Sequence, residues 1–122
     1  MGVSAATGIV YEVNLDIDAT IAADYRAWLD AHVARILALP GFTGARIFEV
    51  LEPAAPSGTA ALCVQYALRD RTAFDAYLRD HAARMRSEGI ARFGDHFRAS
   101  RRILAELPHP TDAPAGTESH LR

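Results

Sequence analysis

Lysine is missing from this sequence, and all 13 basic residues are arginine. Beside the abundant alanine this reads as the codon bias of a GC-rich genome, so the arginines do not by themselves mark phosphate forks. Cys63 stands alone, which excludes an internal disulfide and a cysteine metal knuckle. Charge of one sign is lacking as well: a formal net charge of −2 and a pI near 6.2 give no global attraction to nucleic acid or acidic membranes. No apolar run approaches the roughly 20 residues that cross a bilayer. The opening MGVSAATG has neither the basic region nor the apolar run of a leader, so a soluble cytoplasmic protein is expected. There is no GxGxxG, P-loop or GxSxG elbow.

Half of the residues are hydrophobic, enough for one domain with a single core. In Gly8 to Ile17 the residues Ile9, Tyr11, Val13, Leu15 and Ile17 alternate with Val10, Glu12, Asn14 and Asp16. That period of two predicts a strand with one apolar and one largely polar face. Asp18 is placed to cap a helix over Ala19 to Leu39, whose stripe carries Tyr25, Trp28, Leu29, His32, Val33 and Ile36. Pro40-Gly41 ends it. A second strand is expected over Phe42 to Leu51, a proline-rich loop follows, and a third strand runs from Thr59 to Leu68. Asp70 caps a second helix with the stripe Phe74, Tyr77, Leu78, His81, Ala82 and Met85. Gly89 ends or interrupts it, and a short turn tucks Ile90 and Phe93 inward. His96 to Ala105 is the fourth strand. The chain thus divides into a flexible 1–7, a domain at 8–105 and a disordered tail at 106–122 rich in Pro, Gly, Thr and Ser.

The order β-α-β-β-α-β is the ferredoxin-like plan: an α+β fold with a four-stranded antiparallel sheet in the order 4-1-3-2 and both helices on one face. The other face is left showing Val10, Glu12, Asn14, Asp16, Cys63, Gln65, Arg98, Ser100 and Arg102. It is either a solvated surface on which Glu12 pairs with a neighbouring arginine, or the seam of a homodimer in which two sheets meet across a two-fold axis. It lacks the aromatic platforms and basic charge of an RNA-binding sheet, so no nucleic-acid partner is expected.

The segments YEVNL in the first strand, Trp28 with His32, Gly41-Phe42, Leu51-Glu52, Val64 to Tyr66, Asp80 to Ala82, Arg92-Phe93, and Phe97 with Arg101 together resemble domain of unknown function 4286, within the dimeric α+β barrel superfamily. The resemblance covers about residues 8 to 104. It implies a homodimer of ferredoxin-like subunits with no established activity. Barrel relatives include cofactor-free monooxygenases of antibiotic biosynthesis, polyketide cyclases and isomerases. One position departs from the family pattern: Ala34 stands where a proline is frequent two residues after the helix-one histidine.

His32 and His81 lie on apolar stripes facing the sheet, where a neutral imidazole near pH 7 suits proton transfer. Histidine in such a place is more often a core residue with one ring nitrogen satisfied. No carboxylate stands at helical spacing to either, and no third metal ligand has a recognisable spacing, so neither metal nor cofactor is expected. A haem role would need an axial histidine, for which only His81 offers itself. Tyr11, Trp28, Tyr66, Met85, Phe93 and Phe97 surround the space between helices and sheet, either as a filled core or as the wall of a pocket. Arg101 shares parity with Phe97 and Ile103, which aims it at the covered face, where it needs an anion from the protein, from a ligand, or else solvent. The ligand-binding candidates are therefore Tyr11, Trp28, His32, Tyr66, His81 and Arg101, with His32 the catalytic candidate. The functions left open are small-molecule binding, a cofactor-independent enzyme using His32, and a structural dimer without a ligand.

Overall fold

The computed structural model describes residues 8–109. The expectations for residues 1–7 and for the tail beyond 109 lie outside the described residues. The elements are β1 (Ile9–Asp18), a 3-10 turn (Ala19–Ile21), α1 (Ala22–Leu37), β2 (Phe42–Glu49), β3 (Thr59–Leu68), α2 (Arg71–Asp80), α3 (Ala82–Phe93) and β4 (Phe97–Ala105). All strand pairs are antiparallel and the sheet order is β2-β3-β1-β4, which is the predicted order read from the other edge.

The alternation in β1 decides the layering. Ile9, Tyr11, Leu15 and Ile17 are buried with Val64, Tyr66 and Leu68 of β3, and α1 covers them with Tyr25, Leu29, His32, Val33 and Ile36. Directly paired residues of antiparallel strands share a face. Tyr11 stands opposite Tyr66 and Ile103, and Val13 opposite Val64 and Arg101, so Arg101 comes to the helix-covered side as its parity predicts. Glu12 stands opposite Gln65 and Arg102, and these three share the open side.

Several local expectations are corrected. Asp18 closes β1 instead of capping α1: its side chain makes no cap hydrogen bond and is drawn to His96 and Arg98 across the strand end. The chain turns through 3-10 geometry first, and α1 ends two residues earlier than expected. Asp70 does cap α2, accepting from the backbone N–H of Ala73 at 2.8 Å. The second helix breaks at His81, with φ −134° and ψ −27°, and Gly89 lies inside α3. A Cβ on Gly89 would sit 3.2 Å from the rings of Trp28 and Phe97, so this glycine lets the helix backbone rest on two aromatic rings. Phe93 turns inward as expected, whereas Ile90 is 61% exposed because it falls on the outer side of α3. β2 stops at Glu49, two residues short, after a register shift between Phe42 and Gly44.

Among the described glycines, Gly41 makes the closest approach. At φ +89° it takes a left-handed turn, and a Cβ there would lie 2.5 Å from that of Ala73. The turn after α1 can therefore lie directly on the start of α2.

Candidate functional site

The covered face of the sheet and the inner faces of the helices leave a cavity of about 50 Å³. Tyr11 (β1), Trp28 and His32 (α1), Tyr66 (β3), Tyr77 (α2), Arg86 (α3) and Arg101 (β4) are among its lining residues. Its walls are aromatic: the Tyr11 and Tyr66 rings stack with centroids 5.7 Å apart, and Tyr77 packs on Tyr11 at the same distance. Burial pushes the Tyr25 hydroxyl up to about 12 and raises those of Tyr66 and Tyr77 well above the usual phenol range, so all three are neutral donors near pH 7.

His32 is the titratable base of this space. It is 9% exposed, and its ring lies nearly parallel to that of Trp28, centroids 4.5 Å apart. Its Nδ1 is 3.2 Å from Oε1 of Glu88 on α3, and the same oxygen accepts from Nη2 of Arg35 at 2.8 Å. Arg35 first, and His32 after it, hold the Glu88 carboxyl below its ordinary range, so Glu88 is ionised and is the acceptor. The Nδ1–H tautomer of His32 follows, which leaves the lone pair on Nε2. Burial lowers the His32 pKa against the opposing pull of Glu88, so the ring is neutral at pH 7. A neutral imidazole oriented by a carboxylate and facing an aromatic cavity is the arrangement of a general base.

Two arginines meet on the far wall. Arg101 Nε donates to the Tyr11 hydroxyl at 3.0 Å and Arg86 Nη2 donates to it at 3.2 Å. Of the three ways to satisfy Arg101, the structure shows solvent, since the residue is exposed while its Nε reaches the cavity rim; among the described residues neither arginine has an ion-pair partner. Nε of Arg86 is buried without a hydrogen bond.

Of the candidates read from the sequence, the structure brings Tyr11, Trp28, His32, Tyr66 and Arg101 together and leaves out His81. The break between α2 and α3 turns His81 away, and its Nδ1 accepts from Arg84 at 3.2 Å on the outside. Sequence reasoning missed Glu88, Arg86 and Tyr77. Glu88 is 56 positions from His32, so helical spacing could not pair them. Arg86 carried a legible signal, since it falls in register with Ala82, Gly89 and Phe93, all buried. Among the described residues no group of three His, Cys, Asp or Glu side chains is placed to hold a metal ion. A larger depression of about 440 Å³ lies between Val50, Pro53 and Ala54 and the strand ends at Asp16 and Arg98, but its other walls are mostly small and apolar.

The family model for the domain of unknown function DUF4286 matches residues 8–107. The chain belongs to this family. No curated protein matches it. Solved structures share its ferredoxin-like fold at low sequence identity. SnoaB, a cofactor-independent oxygenase from Streptomyces nogalater, is 12% identical with a TM-score of 0.63, covering 86% of this chain and 98% of its own. A dimeric ferredoxin-like protein of unknown function from Thermobifida fusca is 17% identical with a TM-score of 0.59, over 83% and 92% of the two chains. Rv0793 from Mycobacterium tuberculosis is 22% identical with a TM-score of 0.57, over 84% and 98%. At these identities the likeness is one of fold. No helix among the described residues is long and apolar enough to cross a membrane.

Proposed function

We propose that this protein is a homodimer of ferredoxin-like subunits that binds a small, partly apolar molecule between its helices and its sheet. The observation that carries the reading is the convergence, on one aromatic-walled cavity, of His32, the Tyr11 hydroxyl and two guanidiniums from four different elements. Cores seldom gather two guanidiniums on one hydroxyl and leave a buried guanidinium N–H, that of Arg86 Nε, unpaired, and ligand sites regularly hold such polar groups among aromatic walls. A cavity of about 50 Å³ is far below the ~300 Å³ of a typical ligand site, so entry requires movement at its rim. Met85, Arg86 and Arg101 supply that freedom, because each is an unbranched side chain with several rotatable bonds. A ligand the size of a single ring suits the space once the rim has moved.

Dimerisation through the open face is supported by the dimeric relatives of the fold and by Phe48, 39% exposed beside Cys63 on that face. Light scattering should give the mass of two chains, and a monomer mass at working concentrations ends that part of the proposal. For the ligand, saturable quenching of Trp28, the single tryptophan, by small aromatic alcohols and acids is expected. Ala99→Leu, which fills the cavity from β4, should abolish it while leaving the thermal midpoint nearly unchanged. No quenching by any compound in wild type overturns the pocket.

A second reading is favoured by the His32–Glu88 contact. Cofactor-independent oxygenation, cyclisation and isomerisation all begin by removing a proton from an acidic O–H or C–H, and His32 Nε2 is the base available for it. His32→Gln should then abolish turnover of a hydroquinone or enolisable ketone and keep its binding. An unchanged rate in that variant ends the role of His32 as the base, and absence of turnover in wild type ends the enzyme reading.

A further inference from the structure

Resting on the pocket just proposed, we infer that its ligand carries one oxyanion, a carboxylate or an ionised phenol or enol, seated where Arg86 and Arg101 converge on the Tyr11 hydroxyl. Both guanidiniums direct a hydrogen bond to the same hydroxyl oxygen, at 3.2 and 3.0 Å. Two cations side by side repel, and a phenol oxygen offers them no charge in return. Glu88, two positions from Arg86, is already engaged with Arg35 and His32, and Glu12, next to Tyr11 in the chain, with Arg102 on the opposite face of the sheet. The buried Arg86 Nε adds a donor with no acceptor. A buried donor left unpaired is costly, so the arrangement is explained if an acceptor arrives with the ligand.

The geometry also fixes polarity. The arginines come from β4 and α3 beside Tyr11, and His32 comes from α1 with Trp28 stacked on it. An aromatic acid would lay its ring among Trp28, Tyr66 and Tyr77 and its oxygens against the arginines. An enol or phenol would place its ionising oxygen there, where the guanidiniums hold the negative charge that remains once the proton has gone.

The test uses single-ring probes on the full-length protein, with calorimetry as the readout. Benzoate and benzamide share a body and differ in charge. The expected result is that benzoate binds about tenfold or more tightly than benzamide, and that Arg101→Met or Arg86→Met brings it to the amide's level. 4-Nitrophenol tests the other source of the oxyanion, since its yellow phenolate reports ionisation directly and its pKa should fall on binding. Preference for benzoate alone identifies a carboxylate, and a lowered nitrophenol pKa alone identifies a phenolate or enolate. Equal binding of benzoate and benzamide together with an unmoved or raised nitrophenol pKa overturns the oxyanion assignment and leaves the pocket standing. Failure of all three probes to bind overturns both. The wild-type comparison needs no variant, so a substitution that fails to fold does not blunt it.

Discussion

Arg101 and Arg102 are neighbours in the chain with opposite surroundings. Their strand partners, Tyr11 and Glu12, are neighbours too. On the open face Arg102 Nε donates to Glu12 Oε2 at 2.7 Å, and Asn14 and Gln65 complete the shell around a carboxylate that is 3% exposed. On the covered face the protein gives Arg101 a phenol and a second arginine, and the rest of its guanidinium is exposed to water. The first cluster is electrically closed and the second is open. A closed cluster holds the fold together, while an open one is compatible with the fold and suited to a partner that supplies the missing charge.

The largest expected effect follows from that contrast. Glu12→Ala strips the acceptor from Arg102, Asn14 and Gln65 at once and should cost about 1–3 kcal/mol. Arg101→Met should change stability by no more than about 0.5 kcal/mol, because it removes a charge that no carboxylate balances. Urea unfolding of both variants measures the difference. A costly Arg101→Met beside a harmless Glu12→Ala would reverse the comparison.

Acid sharpens it. Arg102 first, then Asn14, with Gln65 helping, hold the Glu12 carboxyl down to about 2 against its ordinary 4.5. Its folded pKa is depressed, so its stabilisation is fully present above about pH 4.5 and is lost as pH falls toward 2. Glu12→Gln should be less stable than wild type near neutrality and lose less on acidification through that window. Parallel pH curves for the two proteins would show that Glu12 is not the titrating group.

The strand pattern made the covered face legible. A period of two put Tyr11, Tyr66 and Arg101 together on it, and a period of 3.6 added Trp28 and His32. The same patterns misjudged His81, because a stripe continues on paper through a residue whose backbone leaves helical geometry. They misjudged Gly89 as well, since propensity marks a glycine as a break and cannot show two aromatic rings waiting beneath it. Glu88 was beyond reach for another reason. Its meeting with His32 depends on how α3 crosses α1, which is set by packing across the core and not by spacing along either helix.

His32 offers a smaller test on the covered side. Burial lowers its pKa, so its neutral form is favoured in the folded state. The stability this gives is fully present above its ordinary value near 6.5 and declines as pH falls through that value toward the lowered one. His32→Gln should flatten the thermal midpoint over that range. Glu88→Gln should move the His32 ring titration lower still, because it removes the one partner that raises it. Ring proton chemical shifts measure this, and an upward move would mean that Glu88 does not orient the imidazole.

Cys63 reports on the open side most gently. Burial pushes its thiol up, and the Glu12 carboxylate beside it adds to the shift, so little thiolate forms at pH 8 and alkylation should run slower than for a free cysteine peptide. Glu12→Gln removes the negative neighbour and should speed the reaction. If a second copy covers this face, the rate should also fall as protein concentration rises. A rate independent of concentration, across the range where light scattering shows one chain giving way to two, would place the subunit contact elsewhere and leave the Glu12 cluster facing solvent. The closed cluster would then be a feature of the single chain's fold, independent of any subunit contact.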